Sequence, residues 1–293
     1  MKLYFLGTGT SSGVPQMGCH CSVCHSADPH DKRTRTSALI ETDDHRLILI
    51  DCGPDFRQQM LRFLEAHPYA PDTTLPYHYQ NVAEMTDEQA KAAGLHEAPR
   101  YDYALPAIDA VLVTHEHFDH VGGLDDLRPF SIFQPIEICA EARVAAPILR
   151  NMFYCFREKR YPGSPHLVMR EISPDTPFSI GTTQIVPIRV MHGKLPIVGY
   201  RIGDLAYLTD MSTLPDTERH KLASVRTMVV NALRHEAHPT HQNLQEAIAF
   251  ARSVGAAHTY FVHMSHGAGT QAEADRTLPH GMTYAYDGLE IDL

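Results

Sequence analysis

The densest chemistry in the sequence is His115-Glu116-His117-Phe118-Asp119-His120, three imidazoles and two carboxylates on one short stretch. Packing has little use for so many donors together, whereas imidazole is the commonest protein metal ligand. A spacing of two sets His115 and His117 on a common side of an extended segment, and Asp119 and His120 just beyond can turn toward a neighbouring ion. One loop can therefore serve two metal ions. A second cluster, Cys19-His20-Cys21-Ser22-Val23-Cys24, offers three thiolates, one donor short of a tetrahedral zinc site. The apolar run from Met1 to Leu6 is too short for a secretion signal, so clustered cysteines point to metal rather than to disulfides. The fourth donor is suggested by His263-Met264-Ser265-His266, where one histidine follows another three residues later.

The elements that must position these residues follow from the apolar pattern. Lys2 to Leu6 reads as a strand that opens into a Gly/Ser/Thr-rich loop, Gly7 to Pro15, without Rossmann spacing. The runs Ala38 to Glu41 and Arg46 to Asp51 flank the turn Thr42 to His45, which predicts a β-hairpin. A helix begins after Gly53-Pro54. The β-branched run Ile108 to Thr114 must end at the histidines, and ligands at a strand's C-terminal end suit an α/β site. Further strands are predicted over Leu167 to Ile172, Thr183 to Val190, Val198 to Ile202, Leu205 to Thr209, Met228 to Ala232 and Thr259 to Val262. Helices are predicted over Leu244 to Val254 and Gln271 to Leu278. Strands alternate with helices in both halves, with hairpins between them. This predicts an α/β fold in layered α+β form, two mixed sheets flanked by helices, rather than a purely parallel sheet. The chain reads as a single domain over residues 1–293. It is interrupted at about 66–107 by an insertion rich in proline and holding five of the 13 tyrosines.

An HxHxDH motif at a strand end resembles the metallo-β-lactamase superfamily, and the resemblance extends over nearly the whole chain. It implies an αββα sandwich and three further ligands, each after a strand. His192 follows Gln184 to Met191, Asp210 follows Leu205 to Thr209, and His263 follows Thr259 to Val262. By this resemblance His115, His117 and His192 hold one metal, Asp119, His120 and His263 hold the second, and Asp210 bridges them. Two cations so placed lower the pKa of a shared water and stabilise both oxygens of an in-line displacement. Imidazole and carboxylate without thiolate fit Zn²⁺, Mn²⁺ or Fe²⁺, and affinity order alone favours zinc over manganese.

The cysteine triad narrows the resemblance to the PhnP-like phosphoribosyl cyclic phosphodiesterase branch, which shares the opening loop Gly7-Thr8-Gly9-Thr10-Ser11-Ser12-Gly13-Val14-Pro15. That branch implies a structural zinc on Cys19, Cys21, Cys24 and His266. It also implies a histidine acting on the substrate phosphate. The matching residue is His241, at the predicted start of a helix, where free N–H groups favour anions. Its role is general acid to the leaving oxygen or hydrogen bond to the phosphoryl oxygen, and His235 and His238 compete for it. The implied catalytic set is His241 with Asp119 and Asp210. Cys52, Cys139 and Cys155 show no such pattern and read as core residues.

Charge bounds the substrate. Lys and Arg number 25 against 35 Asp and Glu, and a net charge of −10 opposes the attraction that nucleic acid or an anionic membrane requires. The insertion carries Asp72, Glu84, Asp87, Glu88, Glu97 and Asp102 against Lys91 and Arg100. A tRNA-gripping arm should be basic, which weighs against a tRNA-processing nuclease of the same superfamily. No apolar run approaches a membrane span, so the expected location is cytoplasmic. The reading that results is a metal-dependent phosphodiesterase acting on a small substrate such as a ribose cyclic phosphate, through attack by a metal-bridging hydroxide. Lactone or thioester hydrolysis would use the same metals. A binding protein without chemistry is disfavoured because all seven ligand positions are filled. Arg33, Arg35 and Arg128 are open between phosphate contact and ion pairing. Tyr69, Tyr77, Tyr79, Tyr101 and Tyr103 suit a homodimer interface, though a lid or a surface elaboration fits the insertion equally.

Overall fold

A computed structural model describes residues 1–68, 79–81, 87–92, 104–131, 134–159, 161 and 163–293. The strands are β1 (Lys2–Gly7), β2 (Ser37–Glu41), β3 (Leu47–Ile50), β4 (Tyr79–Asn81), β5 (Ala104–Pro106), β6 (Ala110–Leu112), β7 (Ile136–Glu141), β8 (Leu167–Ile172), β9 (Phe178–Ile180), β10 (Thr183–His192), β11 (Leu195–Ile202), β12 (Leu205–Leu208), β13 (Thr227–Asn231), β14 (His258–Val262), β15 (Met282–Tyr284) and β16 (Glu290–Asp292). The α-helices are α1 (Phe56–Ala66), α2 (Asp87–Ala92), α3 (Phe118–Val121), α4 (Ala142–Asn151), α5 (Leu244–Val254) and α6 (Gln271–Thr277).

Two seven-stranded sheets form the body, in the orders β16-β1-β2-β3-β6-β7-β8 and β15-β14-β13-β12-β11-β10-β9. Both mix parallel and antiparallel pairs. Strand periodicity sorts their side chains into layers. Along β1, Leu3 and Phe5 enter the core between the sheets while Tyr4 and Leu6 face the helical layer. Along β13, Val229 points inward and Met228 and Val230 point outward to α5 and α6. Three apolar cores thus separate four layers, which is the expected αββα sandwich. Two contacts pin one sheet to the other: Tyr200 donates its hydroxyl to Val113 O at 2.6 Å, and Val198 N–H donates to Thr114 O at 3.1 Å.

The hairpin is present, with β2 and β3 antiparallel across Thr42–Arg46. The motif at Ile136–Asn151, a strand running into a helix, carries no sequence expectation; Pro147 inside α4 disguises it by removing a helical donor. The insertion contributes a short antiparallel pair, β4 with β5, and the helix α2. Tyr69, Tyr77, Tyr101 and Tyr103 lie outside the described residues. Cys52, Cys139 and Cys155 are buried core residues. No helix among the described residues is long and apolar enough to cross a membrane.

Candidate metal centre

Five strand ends converge at one edge of the sandwich. β3 leads into Asp51 and β6 into Thr114 and His115, while β10 ends on His192, β12 leads into Asp210 and β14 into His263. β3 and β6 run parallel, as do β12, β13 and β14, so their C-terminal ends share that edge. Asp51, Asp210 and His263 all adopt left-handed backbone conformations, with φ of 58°, 57° and 55°. Such strain in non-glycine residues persists only where the surroundings over-determine it, and it clusters at functional sites.

The seven residues expected from the sequence meet here. Donor atoms of His115, His117 and His192 lie within 4.8 Å of one another, and so do those of Asp119, His120 and His263. Asp210 joins His115 and His120 in one group and His192 and His241 in another, which sets it between the two clusters. His120 Nε2 stands 3.3 Å from Asp119 Oδ2 and 3.3 Å from Asp210 Oδ2. His263 Nε2 stands 3.1 Å from Asp210 Oδ1 and 3.5 Å from Asp119 Oδ2. Yet both nitrogens are buried without a hydrogen bond. Buried polar atoms are rarely left unsatisfied, and lone pairs converging on carboxylate oxygens suit a divalent cation between them.

Electrostatics keep the carboxylates charged. Burial alone would raise Asp210, but His263 and His120 outweigh it and hold the carboxyl far below its ordinary range. For Asp119, the adjacent His120 and His263 imidazoles likewise outweigh burial and hold the carboxyl below its ordinary range. Burial pushes His115 well below its usual value, with His120 adding to the effect, so its ring is neutral and has a lone pair to offer.

Several orienting residues escape motif reading. Asp51 Oδ2 lies 2.7 Å from His120 Nδ1, and the same carboxylate accepts from Thr114 N and Oγ1, each at 2.8 Å. A carboxylate fixed by two donors keeps the proton on Nδ1 and leaves Nε2 facing the cluster. Thr240 O does the same for His192 Nδ1 at 2.9 Å. The one sequence signal for Asp51 is an acid at the end of the apolar run Leu47–Ile50.

His241 differs from expectation in its local setting. α5 starts three residues later, and its N-terminus is closed by a capping box between Asn243 and Glu246. The Asn243 and Glu246 N–H groups are taken by that box and the Leu244 N–H by Arg234 O, which leaves little of this helix end to an anion. His241 belongs instead to a tight turn, with Nδ1 3.7 Å from Asp210 Oδ1 and its ring stacked 4.9 Å from that of His263. Burial and the neighbouring His263 push its pKa down to about 3, so it is a neutral N–H donor near pH 7. The three arginines are engaged elsewhere. Arg33 is buried and donates to Thr8, Ala285 and Gln271, Arg35 pairs with Asp55 at 2.8 Å, and Arg128 pairs with Asp125 at 2.7 Å.

The cysteine cluster also assembles. Cys19, Cys21, Cys24 and His266 place their donor atoms within 4.8 Å of one another. His266 Nδ1 lies 3.2 Å from Cys19 Sγ and 3.3 Å from Cys21 Sγ. The Gln16 and Cys24 backbone N–H groups point at Cys24 and Cys21 sulfurs, both at 3.4 Å. The Cys24 backbone N–H and His266 draw the Cys21 thiol down to about 6, whereas burial pushes Cys24 up to about 11. A thiol acid enough to ionise at neutral pH is a ready zinc ligand.

The Beta-lactamase superfamily domain matches residues 86–264, which include all seven ligands expected of the histidine and carboxylate centre. The chain belongs to the metallo-β-lactamase superfamily. It is 42% identical over 291 residues to an octanoyltransferase of Porphyromonas gingivalis, a match that covers 99% of this chain and 51% of that protein. The chain spans about half the length of the first curated relatives it matches. A crystal structure of a diphosphatase from the PhnP family superposes with a TM-score of 0.79 at 34% identity, covering 99% of this chain and 96% of that one. Zn²⁺-bound PqqB from Methylobacterium extorquens superposes at 0.72 with 21% identity over both full chains, a likeness of fold. Within that superfamily the chain is similar to the PhnP-family structure over nearly its whole length.

Proposed function

We propose that this protein is a metal-dependent hydrolase that cleaves a phosphoric diester bond in a small substrate such as a ribose cyclic phosphate, at two divalent ions, zinc or manganese. His115, His117 and His192 would hold one ion, Asp119, His120 and His263 the other, with Asp210 shared. The observation that carries the reading is the convergence of unsatisfied, buried His120 and His263 nitrogens on the Asp119 and Asp210 carboxylates, beside a neutral His241 not needed as a ligand. When bound, the two ions would acidify a water and offset charge that develops on the phosphoryl oxygens.

The chain's own residues supply the rest. Asp51 and the Thr240 carbonyl hold His120 and His192 in the tautomers that present Nε2 to the centre. His241, neutral and beside Asp210, offers an N–H to a phosphoryl oxygen as charge builds there, a role its low pKa favours over proton donation to the leaving group. Cys19, Cys21, Cys24 and His266 would hold a structural zinc. The net charge of −10 supports a small substrate over tRNA.

A second reading, lactone or thioester hydrolysis, draws on the relative named as an octanoyltransferase, 51% of which the match covers. The test is a rate comparison after loading with Zn²⁺ or Mn²⁺, using a chromogenic phosphodiester, a dinucleoside diphosphate, a lactone and an acyl thioester. Faster turnover of the phosphorus substrates supports the proposal, and turnover of the lactone or thioester far above the diester overturns it.

A further inference from the structure

The turn that carries His241 holds a second imidazole for which the reaction above has no use. Thr240 is its hub. The Thr240 carbonyl faces His192 Nδ1, while its N–H and hydroxyl both point at His238 Nδ1, at 3.4 and 3.2 Å. Gly193, at φ +61°, makes room for this arrangement, because a Cβ there would come within 2.8 Å of Thr240 Cγ2. A backbone N–H can only donate. His238 Nδ1 is therefore the acceptor nitrogen, and the neutral ring carries its proton on Nε2. That Nε2–H has no protein partner among the described residues, and His238 belongs to none of the metal-ligating groups. Its ring centroid lies 5.2 Å from that of His241, which in turn is 4.5 Å from that of His192. Two imidazoles with fixed neighbours thus stand side by side on one rim of the centre. Arg33, Arg35 and Arg128 are engaged elsewhere, and the nearby Arg234 directs its guanidinium to the Glu236 and Ala237 carbonyls.

We propose that His238 is a substrate-binding residue whose Nε2–H donates to one non-bridging phosphoryl oxygen while His241 donates to the other. The inference rests on the phosphodiester reading and sharpens it. A phosphorus centre keeps two non-bridging oxygens through an in-line displacement, whereas a carbonyl centre develops a single oxyanion. Rings 5.2 Å apart can each reach a different oxygen of one phosphoryl group with hydrogen bonds of about 2.8 Å. The paired donors therefore select for phosphorus over carbon, and for a substrate slim enough to bring its phosphoryl oxygens to the rim.

The experiment compares wild type, His238→Ala and His238→Gln, whose amide offers an N–H near the place of Nε2–H. Each is measured for hydrolysis of bis(p-nitrophenyl) phosphate, for binding of inorganic phosphate by calorimetry, and for metal per chain. His238→Ala should raise KM and weaken phosphate binding by about tenfold, with kcat changed by less than about threefold and metal retained. His238→Gln should recover most of the loss. A wild type that binds phosphate through His238 yet leaves the diester intact would refute the phosphodiester reading and uphold this one. Unchanged KM and phosphate affinity in His238→Ala would overturn the inference, as would a loss of metal that parallels the loss of binding in both variants.

Discussion

The histidine and carboxylate cluster and the cysteine cluster are both groups of side chains shaped for cations, but the chain builds them in opposite ways. The first is assembled from five strand ends of two sheets, with His115, His120, Asp210 and His263 almost fully buried and three of the strand-end residues held in left-handed backbone. The second sits in a loop, three of its donors close in sequence, with Cys19, Cys21 and His266 only half-buried. The first has nitrogens left unsatisfied and an open partner in His241, and the second has two of its three sulfurs, those of Cys21 and Cys24, already met by backbone N–H groups. A centre that must react keeps unfilled valence in a rigid frame, whereas one that only holds a fold closes its own coordination. The two are joined by the short segment from His263 to His266. There Met264 N–H donates to Thr8 O and Thr10 N–H donates to Met264 O, which stitches the segment to the loop that carries the cysteines.

The largest break in this comparison should come from Asp210→Asn. Losing the shared carboxylate removes an ionised ligand from both clusters, and kcat/KM is expected to fall about a thousandfold or more. Steady-state kinetics with metal analysis checks it, the cysteine centre keeping its ion. Asp51→Asn is the next step down. It alters only the partner of His120 Nδ1, so metal affinity or activity should drop by about 10- to 100-fold, read by competition with a chelator.

Cys21→Ser probes the link itself. Because the ion proposed for the cysteine cluster and His263 would share one segment, thermal stability should fall by about 5–10 °C and activity by about tenfold, as scanning calorimetry and kinetics would record. Unchanged stability and unchanged metal content would remove the structural-zinc assignment. The smallest effect is in acid. Asp119 and Asp210 lie below the ordinary carboxylate range in the folded chain, so on acidification the unfolded chain binds protons first, below about pH 4. The stability these groups contribute is thus present above that pH and is lost as pH falls further toward their folded values. Melting curves at falling pH should show that limb, and it should be shallower in Asp210→Asn.

The sequence exposed the candidate ligands because cations demand several donors of few types, and His115 to His120 and Cys19 to Cys24 are too crowded for a packing role. It also exposed the strands that precede them, since β1, β3 and β13 are buried on both faces and read as apolar runs. What it hid depends on contacts distant in sequence. Asp51 is a lone acid until β3 pairs with β6 and carries it beside His120. The pairing of β16 with β1 and the strand-to-helix unit at Ile136–Asn151 leave no periodic signal that survives their few residues and Pro147. His241 was legible as a residue but not in its setting, because the capping box that starts α5 beyond it is formed by Asn243 and Glu246.

The most direct test of two unlike centres in one chain is metal content by inductively coupled plasma mass spectrometry on purified protein. About three ions per chain are expected, with about one remaining in Asp210→Asn and about two in Cys21→Ser. A wild-type chain that holds one ion or none after loading with Zn²⁺ or Mn²⁺ would contradict that expectation.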